Sequence, residues 1–571
     1  MSPLHNPIGF GATDFIELEL VLLLVLLLLV NAGIGGYARR LAVHTGWSML
    51  LLAILPVALR LAMLALSPVP TPHGSDDFAH VLASDTLRHF RLANPMHPMR
   101  RFFETIFVLQ EPSYSSIFPL GQGIALALGW MIFGHPWAGV VLSVAAFSAL
   151  CYWMLRAWTT PGWALVGGLL AVIQFGPLRY WMNTYWGGAV SAAAGCLVFG
   201  SLPRLRTRGL TRDAVLLGLG IAIQMLTRPF ECVLLVAAAI LYLLPGWRTP
   251  RLAVVAGLVI LPAMGLTLLQ NKEVTGSWTT PPYIISRYQY GVPTTFTVQP
   301  NPVPHRELTA SQKVDYDAQA AVHGPDTDSV MHYLGRLGSR AKFYRFFFLA
   351  PMFLVLPFFL PSLRELRFAW VAAALLIFSL GTNFYPYFYP HYIAAATCLF
   401  VLVSVVGLER LSRVSTEAAQ LIVLLCAAQF LFWYGFHLFA NKNESIAMLE
   451  YETWDFVNHD DPQGRIAVRD RLARAAGKQL VFVRYWPQHI LGEWIQNAAD
   501  IDKAQVVWAL DRGDADNENL RHYYPDRTAW LLEPDARPPK LGPYQPEPVA
   551  PPAQTEKPSP VQNGIQLLPV P

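Results

Sequence analysis

The sequence predicts an α-helical protein that crosses a membrane many times and carries a small α/β domain near its C-terminus. Of its 571 residues, 54% are hydrophobic and 14% are charged, with a mean hydropathy of +0.36. A soluble domain carries about a quarter charged residues. Apolar runs of near-spanning length recur up to residue 440, whereas residues 441–535 are more polar. These observations predict a membrane domain followed by a soluble one.

About thirteen apolar runs are close to the length that a membrane helix needs. They lie at 16–36, 47–66, 117–133, 137–155, 161–178, 186–202, 212–227, 229–245, 252–270, 344–361, 366–383, 390–409 and 418–439. The five cysteines all fall inside apolar runs and lack the spacing of a metal site. We therefore expect small packing residues at these positions.

Arginine clusters predict which loops face the cytoplasm, because positively charged loops stay inside. The clusters are at 39–40, 204–212, 248–251, 364–367 and 410–413. All five clusters fall on the cytoplasmic side if one segment between residues 117 and 202 does not cross the membrane fully. The candidates for this segment are the two short runs around Gly134-His135-Pro136. Loops 67–116 and 271–343 and everything after 440 then face outside. The basic residues thus report topology, and we expect no nucleic-acid partner.

Residues 441–535 predict a β-α-β unit. Short buried strands are expected at 480–483 and 506–509, a helix at 488–499, and a third strand at 530–532. The segment 536–571 is rich in proline and predicts a disordered tail. Loop 271–343 is long but rich in aromatic residues, so we expect it to form an ordered lid.

Asp76 and Asp77 open the first long outside loop, about ten residues after an apolar run. Ionisable groups near hydrocarbon are costly and usually functional. A helix beginning here would place Asp77, His80 and Ser84 on one stripe. The alternative is a helix cap, because acidic residues stabilise the N-terminus of a helix.

This arrangement resembles the GT-C membrane glycosyltransferases, in the branch of the protein O-mannosyltransferases and the aminoarabinose transferase. Asp76-Asp77 matches the acidic pair of that branch, and His80 stands at its following aromatic position. Glu111-Pro112 lies where the branch has Glu-Lys-Pro, without the lysine. The segment 180–187 offers no carboxylate where the family has a later acidic residue. No metal ligand is therefore predicted, no cofactor is certain, and a divalent cation is left open.

The resemblance implies transfer of a sugar from a polyprenyl-phosphate donor to an acceptor in the cell envelope, which would be a glycan, a lipid or a protein. The enzyme would be multi-pass in the plasma (inner) membrane, with its active site and C-terminal domain outside the cytoplasm. Asp76 or Asp77 would be the base. A single carboxylate cluster favours inversion at the anomeric carbon, because a retaining mechanism needs a second, nucleophilic carboxylate.

Further side chains are predicted to bind substrate. Arg228 is the leading phosphate ligand, because an arginine on the outside breaks the positive-inside trend and a guanidinium fits phosphate in a forked geometry. The alternative is a snorkelling arginine paired with Glu231. The other candidates are His80, Glu111, Tyr114, Asn183, Tyr185, Trp186, Glu231, Arg287, His391 and Tyr392. For the aromatic residues among them, the alternative is an interfacial belt.

Several polar residues are expected to have no catalytic role. His73, His89 and His97 lack ligand spacing and are expected to be solvated, while Glu493, Trp494, Asp500 and Asp502 are expected to have a structural or acceptor-positioning role. Two rival functions remain for the chain. One is a transporter or lipid flippase, although no repeated halves are visible, and the other is a non-catalytic scaffold for envelope assembly.

Overall fold

The fold is described from a computed structural model of the full chain. It describes residues 36–244, 250–324, 327–439, 461, 463–490 and 492–545, with a few positions between 19 and 27. The predicted span at 16–36 therefore lies almost wholly outside the described residues. The same holds for residues 546–571 of the predicted tail.

Helices dominate the first part of the chain. They are α1 (Thr45–Ala62), α2 (Ser75–Arg88), α3 (Leu120–Phe133), α4 (Trp137–Leu155), α5 (Pro161–Phe175), α6 (Tyr180–Asn183), α7 (Ala189–Thr207), α8 (Thr211–Thr227), α9 (Pro229–Leu243), α10 (Pro250–Thr275), α11 (Pro282–Tyr290), α12 (Ala310–His323), α13 (Val330–Arg340), α14 (Leu356–Phe359), α15 (Leu366–Thr382), α16 (Thr397–Ser412) and α17 (Thr416–Phe439). Short 3₁₀ helices lie at Arg100–Phe102, Ala341–Phe347, Ala350–Leu354, Leu360–Arg364 and Pro390–Ala396.

Five helices of the described chain are long and apolar enough to cross a membrane, and four shorter apolar helices accompany them. The five are α1, α4, α10, α17 and the segment Pro390–Ser412, and the shorter four are α3, α5, α9 and α15. The prediction of a multi-pass helical membrane protein is confirmed. One predicted span differs, because residues 344–361 fold into several short helical turns interrupted by prolines.

The helices on either side of Gly134 differ in length. α3 has 14 residues and α4 has 19; at about 1.5 Å per residue, α3 reaches about 21 Å and falls short of a bilayer core of about 30 Å. Gly134 ends α3 in the left-handed region, with φ +79°, which glycine adopts without strain. The two helices then pack closely, because a Cβ on Gly129 would lie 2.0 Å from the nitrogen of Gly139. The length of α3 agrees with a segment that does not cross fully, and the topology itself stays a prediction.

The two long loops that are predicted to face outside contain helices in the described residues. The first contains α2 and a small antiparallel pair, β1 (Val108–Leu109) with β2 (Ser115–Ser116). The second contains α11, α12 and α13, where Thr309 begins α12 with a capping box to Gln312. The order expected for this second loop is confirmed, and its role as a lid stays a prediction.

In its described residues, the C-terminal domain is a four-stranded sheet with two α-helices. The order is β4 (Val506–Leu510), β3 (Lys478–Val483), β5 (Arg527–Glu533) and β6 (Lys540–Pro543). β3 runs parallel to β4 and β5, and β6 is antiparallel to β5. The helices are α18 (Arg465–Arg474), before β3, and α19 (Asp514–Tyr523), between β4 and β5.

The predicted strands of this domain are confirmed, but the helix predicted at 488–499 is wrong. The described residues of that segment are extended or in turns. Their polar groups bind other parts of the protein and do not form the hydrogen bonds of a helix. Glu493 N donates to His73 O at 2.9 Å. The side chain of Asn497 donates through Nδ2 to Trp508 O and accepts through Oδ1 from Trp508 N. The edge strand β6 also extends the sheet into the segment that was predicted to be a disordered tail.

Candidate active site at the outer end of the helices

Asp77 fixes the first turn of α2. Its Oδ1 accepts a hydrogen bond from Tyr185 N at 2.7 Å, and its Oδ2 accepts from His73 N at 3.1 Å and Gly74 N at 3.3 Å. Burial raises the pKa of Asp77, and these three N–H groups oppose that shift. The carboxylate thus joins the start of α2 to the segment after α6.

Asp76 lies one residue earlier and has a different environment. It is partly buried, and its carboxylate accepts no hydrogen bond from another side chain of the described residues. Burial and the neighbouring Asp77 raise the pKa of Asp76 to about 7, while Arg228 lowers it. A carboxyl group with this pKa is available as a proton acceptor near neutral pH.

Arg228 lies at a break between two helices, where α8 ends at Thr227 and Pro229 begins α9. Its backbone adopts φ −146° and ψ 87°, because the following proline disfavours a helical conformation. The guanidinium lies 3.4 Å from Glu231 Oε1 and 4.9 Å from the centre of the Tyr392 ring. Glu231 is buried, and about a fifth of the Arg228 side chain is exposed. A partly accessible guanidinium can accept an additional anionic ligand.

His391 is carried by the 3₁₀ turn Pro390–Ala396, which α7 approaches closely. A Cβ on Gly195 of α7 would lie 1.8 Å from the carbonyl oxygen of Ala395, so only glycine fits there. His391 is buried, and its Nδ1 lies 3.3 Å from the Tyr180 hydroxyl. Its ring centre lies 4.8 Å from that of Trp186. His391, Tyr180 and Trp186 therefore form an aromatic wall beside Arg228 and Tyr392.

His80 completes the cluster from α2. It follows Asp76 by four residues, so the two side chains share one face of the helix. The ring stacks on Phe118 with centroids 4.6 Å apart, and its Nδ1 is buried without a hydrogen-bond partner among the described residues. Burial and then Arg228 lower the pKa of His80 to about 3, so the imidazole is neutral. A neutral, unpartnered nitrogen of this kind is free to bind a polar substrate group.

The C-terminal domain supports the turn that precedes α2. Arg465 is fully buried, donates to Glu493 O at 2.6 Å and to the carbonyl oxygens of Pro72 and His73 at 3.4 Å, and stacks on Trp494. Gln496 Nε2 also donates to Pro72 O at 2.9 Å. Composition and spacing gave no signal for Arg465, because its partners are backbone atoms about 390 residues earlier in the chain.

The structure brings together several of the predicted site residues and places others elsewhere. The assembled group is Asp76, His80, Trp186, Arg228, Glu231, His391 and Tyr392, as the contacts and electrostatic interactions above describe. Two residues missed by sequence reasoning, Tyr180 and Tyr389, pack against His391. The sequence feature that could have identified Tyr389 as a site residue is its place in an aromatic run before a predicted span.

The remaining candidates make contacts within the protein. Tyr185 supports the loop, because its N–H binds Asp77 and its hydroxyl binds Pro70 O at 2.8 Å. Asn183 donates to the carbonyl oxygens of Pro177 and Arg179 and accepts from Arg60. These contacts hold the segment between α6 and α7 in place.

Three further candidates lie in contacts of the outer loops. Glu111 pairs with Arg100 and Arg306. The Tyr114 hydroxyl donates to Asn497 O at 3.1 Å, and Arg287 donates to the carbonyl oxygens of Pro293 and Thr294. No substrate contact can be read from these positions, and their substrate-binding role stays a prediction.

Two expectations about the histidines are wrong. His73 is half-buried: its Nε2 lies 3.2 Å from Gln463 Nε2, and its Nδ1 is buried without a hydrogen-bond partner among the described residues. His97 is buried, and its Nε2 lies 2.9 Å from Asp502 Oδ1 and 3.1 Å from the Tyr524 hydroxyl. Asp500 similarly pairs with Arg91 at 3.1 Å. These acids were expected to be structural or to position an acceptor, and both bind the loop at residues 67–116. Sequence reasoning could not find the pairs because their members lie about 400 residues apart.

Within the described part of the chain, no group of three or more His, Cys, Asp or Glu side chains is arranged to hold a metal ion. The positive charge that acts on Asp76 in the cluster is Arg228.

No family model matches the sequence, and no curated protein matches it either. Solved structures do resemble the fold. ArnT from Cupriavidus metallidurans bound to undecaprenyl phosphate matches with a TM-score of 0.51 and 11% identity, over 86% of this chain and 93% of that one. The apo form of the same protein matches with a TM-score of 0.48 and 12% identity, over the same shares. An oligosaccharyltransferase from Archaeoglobus fulgidus matches with a TM-score of 0.38 and 11% identity, over 86% of this chain and 69% of that one.

The first of these likenesses covers nearly the whole of both chains and identifies the architecture. The chain has the fold of the GT-C membrane glycosyltransferases, as the resemblance in its sequence predicted. It is a multi-pass membrane protein with that helical core and a small C-terminal sheet.

Proposed function

We propose that this protein is a GT-C type glycosyltransferase that moves a sugar from a polyprenyl-phosphate donor to an acceptor outside the cytoplasm. The observation that carries the proposal is Asp76, a weakly hydrogen-bonded carboxyl group with a pKa of about 7, held next to the partly accessible Arg228. A base and an anion-binding group side by side are what this transfer requires. ArnT, which shares the fold, has been solved with undecaprenyl phosphate.

Asp76 is proposed as the base that removes the proton of the acceptor hydroxyl. That oxygen then attacks the anomeric carbon, the bond from this carbon to the phosphate oxygen breaks, and the lipid phosphate leaves with the electron pair. Of the two acids, Asp76 suits this role because the carboxylate oxygens of Asp77 already accept three backbone hydrogen bonds. A single displacement of this kind inverts the anomeric configuration.

Arg228 is proposed to bind the donor phosphate and to stabilise the charge that develops on it as the bond breaks. Its pairing with Glu231 at 3.4 Å is long for a charge-assisted hydrogen bond, so the guanidinium keeps capacity for a second anion. The neutral imidazole of His80 is proposed to bind a sugar or acceptor hydroxyl through its unpartnered Nδ1. Trp186 and Tyr392 offer flat aromatic faces for a sugar ring.

The donor phosphate has to lie at the membrane interface, because its lipid lies in the bilayer. We therefore propose that the cluster faces the extracytoplasmic side of the plasma membrane, as the positions of the arginine clusters predict. The requirement for a divalent cation stays open, and activity after EDTA treatment and after readdition of Mg²⁺ tests it.

The test is mass spectrometry of envelope glycoconjugates and lipid-linked sugars from cells with the protein, without it, and with the Asp76→Asn variant. The proposal expects one glycoconjugate to disappear, and its lipid-linked sugar to accumulate, both without the protein and with Asp76→Asn at normal membrane levels. Glycans that stay unchanged in all three strains would contradict it and favour the scaffold. A glycoconjugate that depends on the protein but not on Asp76 would favour the transporter or flippase.

A further inference from the structure

A second polar cavity lies at the opposite end of the helices from Asp76. It has a volume of about 630 Å³ and is lined by the ends of α4 and α7 and the starts of α1 and α8. α8 begins at this cavity and ends at Thr227, next to Arg228. Its 17 residues correspond to about 25 Å, so the two places are separate.

Positive charge dominates this cavity. Its lining contains four arginines, Arg156, Arg204, Arg208 and Arg212, and one acid, Asp213. Arg156, Arg208 and Arg212 each interact electrostatically with Arg204, which places all four charges close together. One carboxylate among four guanidinium groups leaves a net positive charge, which attracts an anion.

Internal contacts orient two of these arginines. Arg156 Nη1 donates to Thr45 Oγ1 and the Tyr152 hydroxyl, both at 3.0 Å. Arg204 stacks on Trp153 with its guanidinium carbon 4.0 Å from the ring centre, and it donates to Trp153 O at 2.8 Å. The walls are therefore built from partly buried, fixed guanidinium groups.

The other two arginines form an exposed rim. Arg212 lies 3.9 Å from Asp213 Oδ1, beyond hydrogen-bond distance, and the second Asp213 oxygen is buried without a hydrogen-bond partner in the described residues. Asp213 therefore offsets only part of the positive charge. Arg208 and Arg212 keep donors that can reach a ligand.

The positive-inside trend explains arginines in a cytoplasmic loop, but it does not explain this geometry. That trend requires charge near the ends of the helices and no particular arrangement. Here charges from three helices converge on one partly open cavity. Arg206 lies at the same helix end, yet it is not part of the lining and stacks on Tyr242 instead.

We infer that this cavity binds a phosphate group, at a site that is separate from the proposed donor site. The planar fork of arginine matches phosphate oxygens, and several such forks around one space make a strong anion site. Basic pockets between membrane helices at the cytoplasmic side suit the headgroup of an anionic lipid. The inference does not depend on the proposed function.

The surface beside the cavity favours a lipid as the source of the phosphate. Val215 and Leu219 on α8 and Trp47 and Leu50 on α1 are exposed, at 39%, 40%, 67% and 47%. They lie on two of the helices that line the cavity, where acyl chains would lie in a membrane. A free phosphate ion would use the same arginines without these contacts.

The test uses the full-length protein in detergent with the variant Arg208→Gln/Arg212→Gln. The control is Arg206→Gln/Arg413→Gln, which changes the net charge equally outside the cavity lining. Native mass spectrometry measures binding of dioleoylphosphatidylglycerol and, for comparison, dioleoylphosphatidylcholine. Thermal unfolding with and without inorganic phosphate tests whether the free ion binds. Thermal unfolding without any ligand checks that both variants fold. If the double variant fails to fold, Arg208→Gln with Arg206→Gln as its control takes its place.

We expect the cavity variant to bind phosphatidylglycerol roughly tenfold to thirtyfold more weakly than the wild type or the control, because it removes two of the four guanidinium groups that line the cavity and the control removes none of them. Phosphatidylcholine binding should change little. If inorganic phosphate stabilises the wild type and not the variant while phosphatidylglycerol does not discriminate, the phosphate site stands and its ligand is soluble. Equal binding of both ligands to all three proteins, or an equal loss in the control, would overturn the inference.

Discussion

The two sides of α2 receive different kinds of contact from the two parts of the protein. The membrane domain presents side chains to Asp76 and His80: a guanidinium, a buried carboxylate and aromatic rings. The C-terminal domain presents hydrogen-bonding groups to the backbone of the preceding turn, where Arg465 and Gln496 bind Pro72 O. On the first side, the side chains of Asp76 and His80 keep unused hydrogen-bonding capacity. On the second side, the backbone carbonyl groups of the turn accept hydrogen bonds from the C-terminal domain.

The groups that surround the reactive carboxylate are therefore different from the groups that hold its turn in place. A reactive carboxylate has to be free to accept a proton, so its neighbours cannot satisfy it fully. Its position nevertheless has to be fixed to within a fraction of an ångström. Here one domain supplies the reactive surroundings, and the other fixes the turn that carries the acidic pair. Asp76 belongs to the reactive side, whereas Asp77 helps to support the turn through the N–H groups of Tyr185, His73 and Gly74.

The largest expected effect distinguishes the two acids directly. Asp76→Asn should lower the rate of sugar transfer about 10²–10⁴-fold, because it removes the proposed base. Asp77→Asn should act mainly on stability, since an amide nitrogen would face the N–H groups of His73 and Gly74. Purified variants assayed for transfer and thermal unfolding would show this. A catalytic loss in Asp77→Asn without a lower unfolding midpoint, together with near-normal Asp76→Asn activity, would reverse the assignment.

Arg228→Gln should weaken use of the donor by roughly 10–100-fold, the range expected for one lost charge-assisted hydrogen bond to phosphate. The pH profile should also move. The rate should rise with pH through the pKa of Asp76, about 7, and Arg228 lowers that pKa, so its removal should shift the rise to higher pH. Initial rates across pH 5.5–9 measure both effects.

The double variant Arg228→Gln/Glu231→Gln is the control for that experiment. It removes the carboxylate that the single change would leave buried without its 3.4 Å partner. If the double variant regains normal use of the donor, the defect comes from Glu231 and not from lost phosphate binding.

Arg465→Met tests the supporting side and should mainly reduce stability. It removes the donors to Glu493 O and to the carbonyl oxygens of Pro72 and His73, at a cost of about 2 kcal/mol. The matched control is Arg471→Met on the same helix, an exposed arginine that binds Leu541 O. Thermal unfolding should show a lower midpoint for Arg465→Met than for the control. Equal midpoints would mean that the C-terminal domain contributes little to this turn.

The sequence was sufficient for the fold and pointed to several residues of the candidate site. Apolar run length located α1, α4 and α10 because the bilayer sets the length of a spanning helix. Arg228 could be identified because an arginine between two apolar runs, on the predicted outer side, conflicts with the positive-inside trend. Signals of this kind are local in the chain and need no knowledge of the tertiary structure.

Other parts depended on contacts between distant residues. A helix was predicted at 488–499, but the side chains and backbone of this segment bind the turn before α2 and the strand β4 instead. The division of roles between Asp76 and Asp77 was also invisible, because it depends on the N–H of Tyr185, 108 residues away. Tertiary contacts of this kind override local preference and leave no periodic pattern.

The smallest expected effect concerns the stability of the acidic turn as a function of pH. The pKa of Asp76 is about 7 in the folded protein and 3.8 for an ordinary aspartate, so between these values the folded state holds a proton that the unfolded state has released. The free energy of unfolding should therefore fall as pH rises from about 4 to 7 and then level off. Asp76→Asn lacks this loss, so its unfolding midpoint should exceed that of the wild type by roughly 2–4 °C at pH 8 and by less at pH 5. An advantage that is the same at both pH values would mean that the Asp76 carboxylate is well solvated, which would weaken its case as the base.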